Sequence, residues 1–207
     1  MKGVISINVL AIIGSKRKNG NTSILIDKIY ENISSKSINL NKLFIKDYTF
    51  EGCLGCNSCH DSTTCIMNDD MQKIYKMMDD TDVLILASPT YYYNVTADMK
   101  KLIDRFFCLN IFDKNDRTLW TSKYHESGKK AGIVVSICEQ QSKEDIGFTT
   151  LAMKKPLQDI GYNIIYTIEA INSFYKGDIL KQPDTLIEAK KCAETITDYL
   201  RKKEYHF

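Results

Sequence analysis

Four cysteines stand within thirteen residues, at Cys53, Cys56, Cys59 and Cys65, in the run EGCLGCNSCHDSTTCIMNDDM. The spacing C-x2-C-x2-C-x5-C falls on a stretch, 47–69, that has neither helical nor strand periodicity. Such a loop can bring thiolates together, and four chemistries are open to it. A [4Fe–4S] cube needs four thiolates around one small centre, and closely spaced cysteines supply three from one turn of backbone. Gly52 and Gly55 would let the chain curl around it. Structural zinc more often pairs two C-x2-C knuckles across a longer spacer. A metal-free redox pair needs only two of the thiols, and a loop of reduced cysteines needs none. His60 reads as a surface residue. Asp69 and Asp70 read as the charged start of a helix rather than as ligands.

A second stretch points to anion chemistry. Ile7 and Val9 to Ile13 form a nearly continuous apolar run that stops at Gly14-Ser15. The polar loop Lys16-Arg17-Lys18-Asn19-Gly20-Asn21-Thr22 follows, and then Ile26, Ile29, Tyr30 and Ile33 recur at helical spacing. A buried strand, a loop and a helix N-terminus, with Asn21 or Thr22 as its cap, gather free backbone N–H groups where the helix dipole is positive. Ser15, Asn21, Thr22 and Ser23 add neutral donors, and Arg17 adds a fork matched to two phosphate oxygens. Neither a Walker loop nor G-x-G-x-x-G is present. A third stretch, Ser88-Pro89-Thr90-Tyr91-Tyr92-Tyr93-Asn94, offers aromatic faces to a planar heterocycle behind a rigid proline. Its bland reading is a partly exposed loop packed on a neighbouring subunit.

The elements that would carry these loops are legible from pattern. Strands are expected at 7–13, 38–45, 83–87, 133–137 and 164–168, the first, third and fourth as near-continuous apolar runs buried on both faces. Helices are expected after Asn21 or Thr22, from about Asn68 or Asp69, over 96–107, over 148–160 with strain at Pro156 and a stop at Gly161, and from Pro183 onward. Residues 109–128 read as a polar surface insert. Strands alternating with helices imply right-handed crossovers and an α/β doubly wound parallel sheet of five strands, order 2-1-3-4-5, with helices on both faces. Ligands of such folds sit beyond the C-terminal ends of the strands, where loops 14–22, 88–95 and 136–142 emerge.

All three of these motifs carry a family resemblance. The order G-S-x-R-x-x-G-N-T resembles the FMN phosphate loop of the flavodoxin-like NAD(P)H-dependent FMN reductases and iron–sulfur flavoproteins. SPTYYYNVTADMKKLIDR, from Ser88 to Arg105, is similar to the S-P-x-Y…K-x-x-I-D-R segment of the same family. The cysteine run resembles the compact motif of iron–sulfur flavoproteins, in which Asp-Asp-Met also commonly follows. The resemblance implies a single flavodoxin-like FMN-binding domain over 1–207, with the phosphate held by Ser15, Arg17, Asn21, Thr22 and Ser23. It implies a ring platform of Pro89, Thr90, Tyr91, Tyr92, Tyr93 and Asn94, and a [4Fe–4S] cluster on Cys53, Cys56, Cys59 and Cys65. Asp104 and Arg105 are expected to pair and close their helix. The family's Gly-rich loop after the fourth strand is replaced here by Ser136-Ile137-Cys138-Glu139-Gln140. The implied activity is an FMN-dependent oxidoreductase with NAD(P)H as a transient electron donor, a redox protein or small molecule as acceptor, and a homodimer or homotetramer as assembly. No side chain is required as an obligate acid or base.

Composition narrows the classes further. The chain has 207 residues, 43% hydrophobic and 26% charged, enough for one sizeable core. A net charge of +2 calls for neither nucleic acid nor an anionic membrane. The first apolar run is far shorter than the ~20 residues that span a bilayer, and with no signal-peptide pattern the expectation is a cytoplasmic protein. Seven cysteines, an odd number, argue against a closed disulfide framework. Cys108, Cys138 and Cys192 lie among apolar neighbours and read as small core hydrophobes. A phosphate-receiver module would need acids at the end of strand 1, where Ile13-Gly14-Ser15 stands.

Overall fold

A computed structural model describes residues 7–34, 38–60, 62, 64–125 and 130–204. The elements run β1 (Ile7–Ile13), α1 (Asn21–Glu31), β2 (Ile38–Phe44), α2 (Met71–Asp79), β3 (Val83–Pro89), α3 (Ala97–Asp104), β4 (Asn110–Phe112), β5 (Trp120–Ser122), β6 (Ala131–Ile137), α4 (Thr149–Asp159), β7 (Asn163–Ala170) and α5 (Pro183–Glu204). Five strands form one sheet in the order β2-β1-β3-β6-β7. Every neighbouring pair in it is parallel. The expected 2-1-3-4-5 is this order once β4 and β5 are set aside, because those two pair only with each other.

The alternation of side chains along β1 divides the interior into two cores. Leu10 and Ile12 face a layer built from Ile74 of α2, Leu102 of α3 and Leu157 of α4. Val9, Ala11 and Ile13 face Ile26 of α1 and Ile196 of α5. A strand covered on both faces has no polar side, which is why β1, β3 and β6 read as unbroken apolar runs. The edge strand β2 departs from that pattern. Asn39, Lys42 and other polar residues leave it half exposed, which discourages pairing with another chain. Cys138 and Cys192 are buried as small core side chains.

Two expectations change on contact with the structure. The 109–128 insert contains an antiparallel hairpin, in which Phe112 faces Trp120. Its three-residue strands are too short to display a period of two in sequence. Beyond the hairpin, Tyr124 is buried and its hydroxyl donates to Asp79 Oδ1 at 2.8 Å; residues 126–129 lie outside those described. The helix that begins near residue 96 ends as α3 at Asp104 and continues as a short 3-10 turn over Arg105–Leu109. The helix α4 runs through Pro156 and, as expected, gives way at Gly161 (φ +98°), where Tyr162 N–H returns to Leu157 O at 2.9 Å. Among the described residues no helix is long and apolar enough to cross a membrane.

Because the sheet separates the two cores, changes on its opposite sides should not communicate. Ile74→Val and Ile196→Val are each expected to cost ~0.5–1.5 kcal/mol. The double variant should show their sum within ~0.5 kcal/mol in urea unfolding. A larger interaction energy would mean that the sheet does not insulate the layers.

Candidate functional site

The turn after β1 is built around two close approaches. Gly14 N–H donates to Ala87 O at 2.8 Å, extending the β1–β3 ladder by one rung. Thr96, at the head of α3, donates its hydroxyl to Gly14 O at 3.0 Å and accepts the Met99 N–H at 3.2 Å. Its own N–H donates to Ser88 Oγ at 3.2 Å. One threonine thus caps α3 and ties the loops after β1 and β3 together. Within the turn, Arg17 N–H donates to Ser15 Oγ at 3.2 Å and Gly20 N–H to Arg17 O at 3.0 Å.

The N-cap of α1 is Gly20, in extended conformation, and neither Asn21 nor Thr22 as expected. Ile24 N–H reaches Gly20 O at 3.0 Å, so the N–H groups of Asn21, Thr22 and Ser23 have no partner within the helix. No acidic side chain sits in that first turn. Ser15, Thr22 and Ser23 are buried around it, whereas Arg17 is exposed on the rim with no ion pair among the described residues. Lys16 and Lys18 are engaged with Asp98 and Asp47. The combination of free helix N–H groups, dipole and guanidinium suits an anion.

Asn21 points elsewhere. Its amide donates to Ser173 O at 3.0 Å and Tyr175 O at 2.9 Å and accepts the Gly177 N–H at 2.9 Å. That fixes the loop after β7, which also bonds the loop after β6 through Asn172 N–H to Gln140 O at 2.6 Å. Sequence reasoning passed over this 171–177 loop. Asn172-Ser173 and Gly177, turn residues directly after the last strand, were the signal for it.

The tyrosine loop is a tight reverse turn. Tyr91 and Asn94 exchange backbone hydrogen bonds of 2.7 and 3.1 Å, with Tyr92 at φ +48° and Tyr93 at φ +65°. Two consecutive positive φ values define a primed turn, a conformation that bulky residues adopt only under external restraint. The restraint comes from the start of α4. Phe148 N–H donates to Tyr93 O at 2.7 Å, and Gly147 approaches so closely that a Cβ there would lie 2.5 Å from that oxygen. Tyr91, Tyr92 and Tyr93 are left 52%, 96% and 53% exposed, an aromatic shelf beside the turn after β1. Asn94 Oδ1 is occupied by the Val95 N–H at 2.8 Å. Thr90 donates its N–H to Ile137 O, but its buried hydroxyl has no partner.

The cysteine loop lies toward the other end of α3, and Arg105 ties its two ends together. Arg105 is 1% exposed. Its guanidinium donates to Asp69 Oδ2 at 2.7 Å, Asp69 Oδ1 at 3.1 Å and Glu51 O at 2.8 Å, so it binds both ends of the cysteine segment. The expected Asp104–Arg105 pair is not formed. Asp104 pairs with Lys100 one turn back, because adjacent helix residues point about 100° apart. Burial works against the Asp69 carboxylate, yet Arg105 and the Met71 N–H hold it below the usual carboxylate range. The N-cap of α2 is Asp70 rather than Asn68 or Asp69, and Asp69, one residue earlier, accepts the Met71 N–H at 3.1 Å. Asp70 bonds the Thr49 N–H and Lys73.

Cys53, Cys56, Cys59 and Cys65 are all unoxidised and line one cavity, whose wall also includes Arg105 and Cys108. The chain curls there through Gly55 and Asn57, both at positive φ. The Ser58 hydroxyl draws the Cys56 thiol below its usual range, while burial and the neighbouring thiols raise Cys59. Cys108, expected among core hydrophobes, is buried but forms part of this wall, and burial pushes its thiol up to about 11. His60 is half buried, stacked on Phe112 at 5.8 Å, not a free surface residue. Among the described residues no three His, Cys, Asp or Glu side chains stand close enough to chelate a single ion. Four free thiols therefore line one cavity beside a buried cation.

A doubly wound parallel sheet with an anion-ready turn after β1 and an aromatic shelf after β3 is the architecture of flavodoxin-like proteins. The chain belongs to the NADPH-dependent FMN reductase family, whose family model matches residues 7–144. An iron–sulfur flavoprotein of Archaeoglobus fulgidus is 38% identical over 96 residues, 46% of this chain and 44% of that protein. One of Methanocaldococcus jannaschii is 36% identical over 97 residues, 47% of this chain and 50% of that protein. The matched stretch therefore spans about half the length of these relatives. The crystal structure of RosB with a bound 8-demethyl-8-formylriboflavin-5'-phosphate intermediate shares the fold, with TM-score 0.69, 13% identity, and 96% and 81% of the two chains covered.

The grip of α4 on the tyrosine turn is directly testable. Gly147→Ala should lower stability by roughly 1–3 kcal/mol, because the added Cβ forces the strained turn to move. Hydrogen exchange at amides 90–95 should speed up in the same variant. Unchanged exchange there would show that the turn holds its shape without α4.

Proposed function

We infer that this chain is a single-domain FMN-dependent oxidoreductase that passes electrons between FMN and a [4Fe–4S] cluster. The observation that carries the flavin half is the junction at Thr96, which sets the open N-terminus of α1 beside the tyrosine shelf. In this reading the N–H groups of Asn21, Thr22 and Ser23, with the Ser15, Thr22 and Ser23 hydroxyls, hold the phosphate and Arg17 closes over it. Asn21 contributes through its backbone and keeps its side chain for the 173–177 loop. The partnerless Thr90 hydroxyl, Pro89 and the Asn94 amide meet the edge of the ring, and Tyr91, Tyr92 and Tyr93 cover its face. Donors near the pyrimidine edge favour the reduced form, where negative charge accumulates.

FMN accepts electrons in pairs and releases them singly, whereas an iron–sulfur cube carries one at a time. Cys53, Cys56, Cys59 and Cys65 supply the thiolates for the cube. The residues position the groups and tune their charge, and none acts as an obligate acid or base. The acceptor is a redox protein or a small molecule, and the active form is a homodimer or homotetramer in the cytoplasm, with no role for nucleic acid or a membrane.

A second reading, favoured by the family's own description, is an NAD(P)H-dependent FMN, quinone or nitro-compound reductase without a cluster. Nicotinamide would then stack transiently over the flavin. Rapid bleaching of flavin absorbance on stopped-flow mixing with NADPH supports this reading, and indifference to both nicotinamides counts against it.

Two measurements test the leading proposal. Arg17→Ala should weaken FMN binding ~10- to 100-fold, the loss of one charge-assisted hydrogen bond of ~1.5–3 kcal/mol, in a fluorescence titration of the apoprotein. Full retention would remove Arg17 from the phosphate site. Anaerobic reconstitution should give iron and acid-labile sulfide in equal amounts alongside flavin. A yellow protein free of iron would reject the cube.

A further inference from the structure

The guanidinium of Arg105 makes three hydrogen bonds through its terminal nitrogens, all to the two ends of the cysteine loop. Its Nε is buried and has no partner among the described residues. A buried charged donor without an acceptor is strongly disfavoured, so such an atom marks the place of an absent partner. The choice of partner is narrow. Arg105 lines the same cavity as Cys53, Cys56, Cys59 and Cys65, and its charge interacts with Cys65. Close by, Tyr75 donates its hydroxyl to Arg105 O at 2.6 Å, Cys108 Sγ to the same oxygen at 3.4 Å, and Gln72 Nε2 to Cys65 O and Met67 O at 2.9 and 2.8 Å. The sulfurs of the four cysteines share the cavity with Arg105, and sulfur can accept an N–H.

We propose that Arg105 is the positioning residue that sets the reduction potential of the group held by the four cysteines, its Nε–H donating to a sulfur of that group. The inference rests on the cluster reading above and adds a role for a residue outside the thiolate set. Hydrogen bonds to cluster sulfurs and net positive charge both stabilise the reduced, more negative state and so raise the potential. Arg105 itself is buried, so little water screens the charge on its side of the cavity, while Cys53 and Cys56 on the other side are exposed. Asp69 acts in the opposite sense. Its carboxylate, bound to the far side of the same guanidinium, cancels part of the charge that the cluster feels.

The two residues therefore predict shifts of opposite sign. Arg105→Lys keeps a cation but removes the Nε donor and the fork, and should move the midpoint potential to more negative values in an EPR-monitored titration of the reconstituted protein. Asp69→Asn keeps Nε and removes the neutralising charge, and should move it to more positive values. Iron, sulfide and flavin are measured in the same samples, so that only loaded protein is compared. If Arg105→Lys does not fold or load, Asp69→Asn decides: a positive shift supports the proposal and none overturns it. Wild-type potential in both loaded variants, or shifts of the same sign, would assign the pair to holding the loop alone and overturn the proposal. Wild type without iron after anaerobic reconstitution would overturn the cluster reading and this inference with it.

Discussion

A buried guanidinium organises a long segment that, among the described residues, has no helix or strand of its own. The stretch from Glu51 to Asp69 leaves the sheet after β2 and returns at α2, and its backbone has few ladders to join. Arg105 supplies the missing order by bonding Glu51 O and both Asp69 oxygens. Burying such a pair costs desolvation on both sides, and the mutual attraction offsets that only where the geometry is bidentate. The fork satisfies that condition for the carboxylate. A buried ion pair is seldom an efficient source of stability, so its value here lies in specifying where the loop closes. An apolar pair of similar volume would bury well without fixing the two ends relative to each other.

The tyrosine turn follows a related logic with backbone in place of charge. Tyr92 and Tyr93 hold positive φ, where bulky side chains are disfavoured by about 1–2 kcal/mol each. The strain persists because Phe148 N–H and Gly147 hold the turn from α4 and the Tyr91–Asn94 bridge closes it from within. Fixing the turn this way leaves large parts of three aromatic side chains exposed to solvent. A relaxed loop would fold those rings onto the surface. The strain thus maintains an open aromatic shelf that hydrophobic packing alone would close.

Much of this was legible in the residues. The strands β1, β3 and β6 announced themselves because both of their faces are buried, and the parallel doubly wound order followed from the alternation of strands with helices. The loops carrying Ser15 to Ser23 and Thr90 to Asn94 do emerge together at one edge of the sheet. What could not be read was the direction of individual side chains. Asn21 looked like a cap and a phosphate donor, but its side chain serves a loop more than 150 residues further on, the partner Gly177 standing at a separation of 156. Arg105 looked like the partner of its neighbour Asp104, although consecutive helix positions diverge. Its true partner, Asp69, lies 36 residues away. Long-range polar contacts leave no periodic trace, and strands as short as β4 and β5 leave none either.

The helix α3 links these parts physically. Its first cap, Thr96, joins the turns after β1 and β3, and the residue after its last turn, Arg105, fixes the cysteine loop. Eight helical residues separate the two, a rise of ~12 Å at 1.5 Å each. Between them Met99 and Leu102 are fully buried in the core shared with α2 and α4, so the helix has no freedom to slide. The α2, α3 and α4 face of the sheet therefore holds the shelf, the cysteine cavity and the spacer between them, while α1 on the other face follows the turn after β1 and, through Asn21, fixes the loop after β7. A displacement at one end of α3 must either deform a close-packed core or be carried to the other end. Packing at interior density makes the first route expensive. The spacing of the two sites is consequently a property of the core, set by apolar residues that belong to neither.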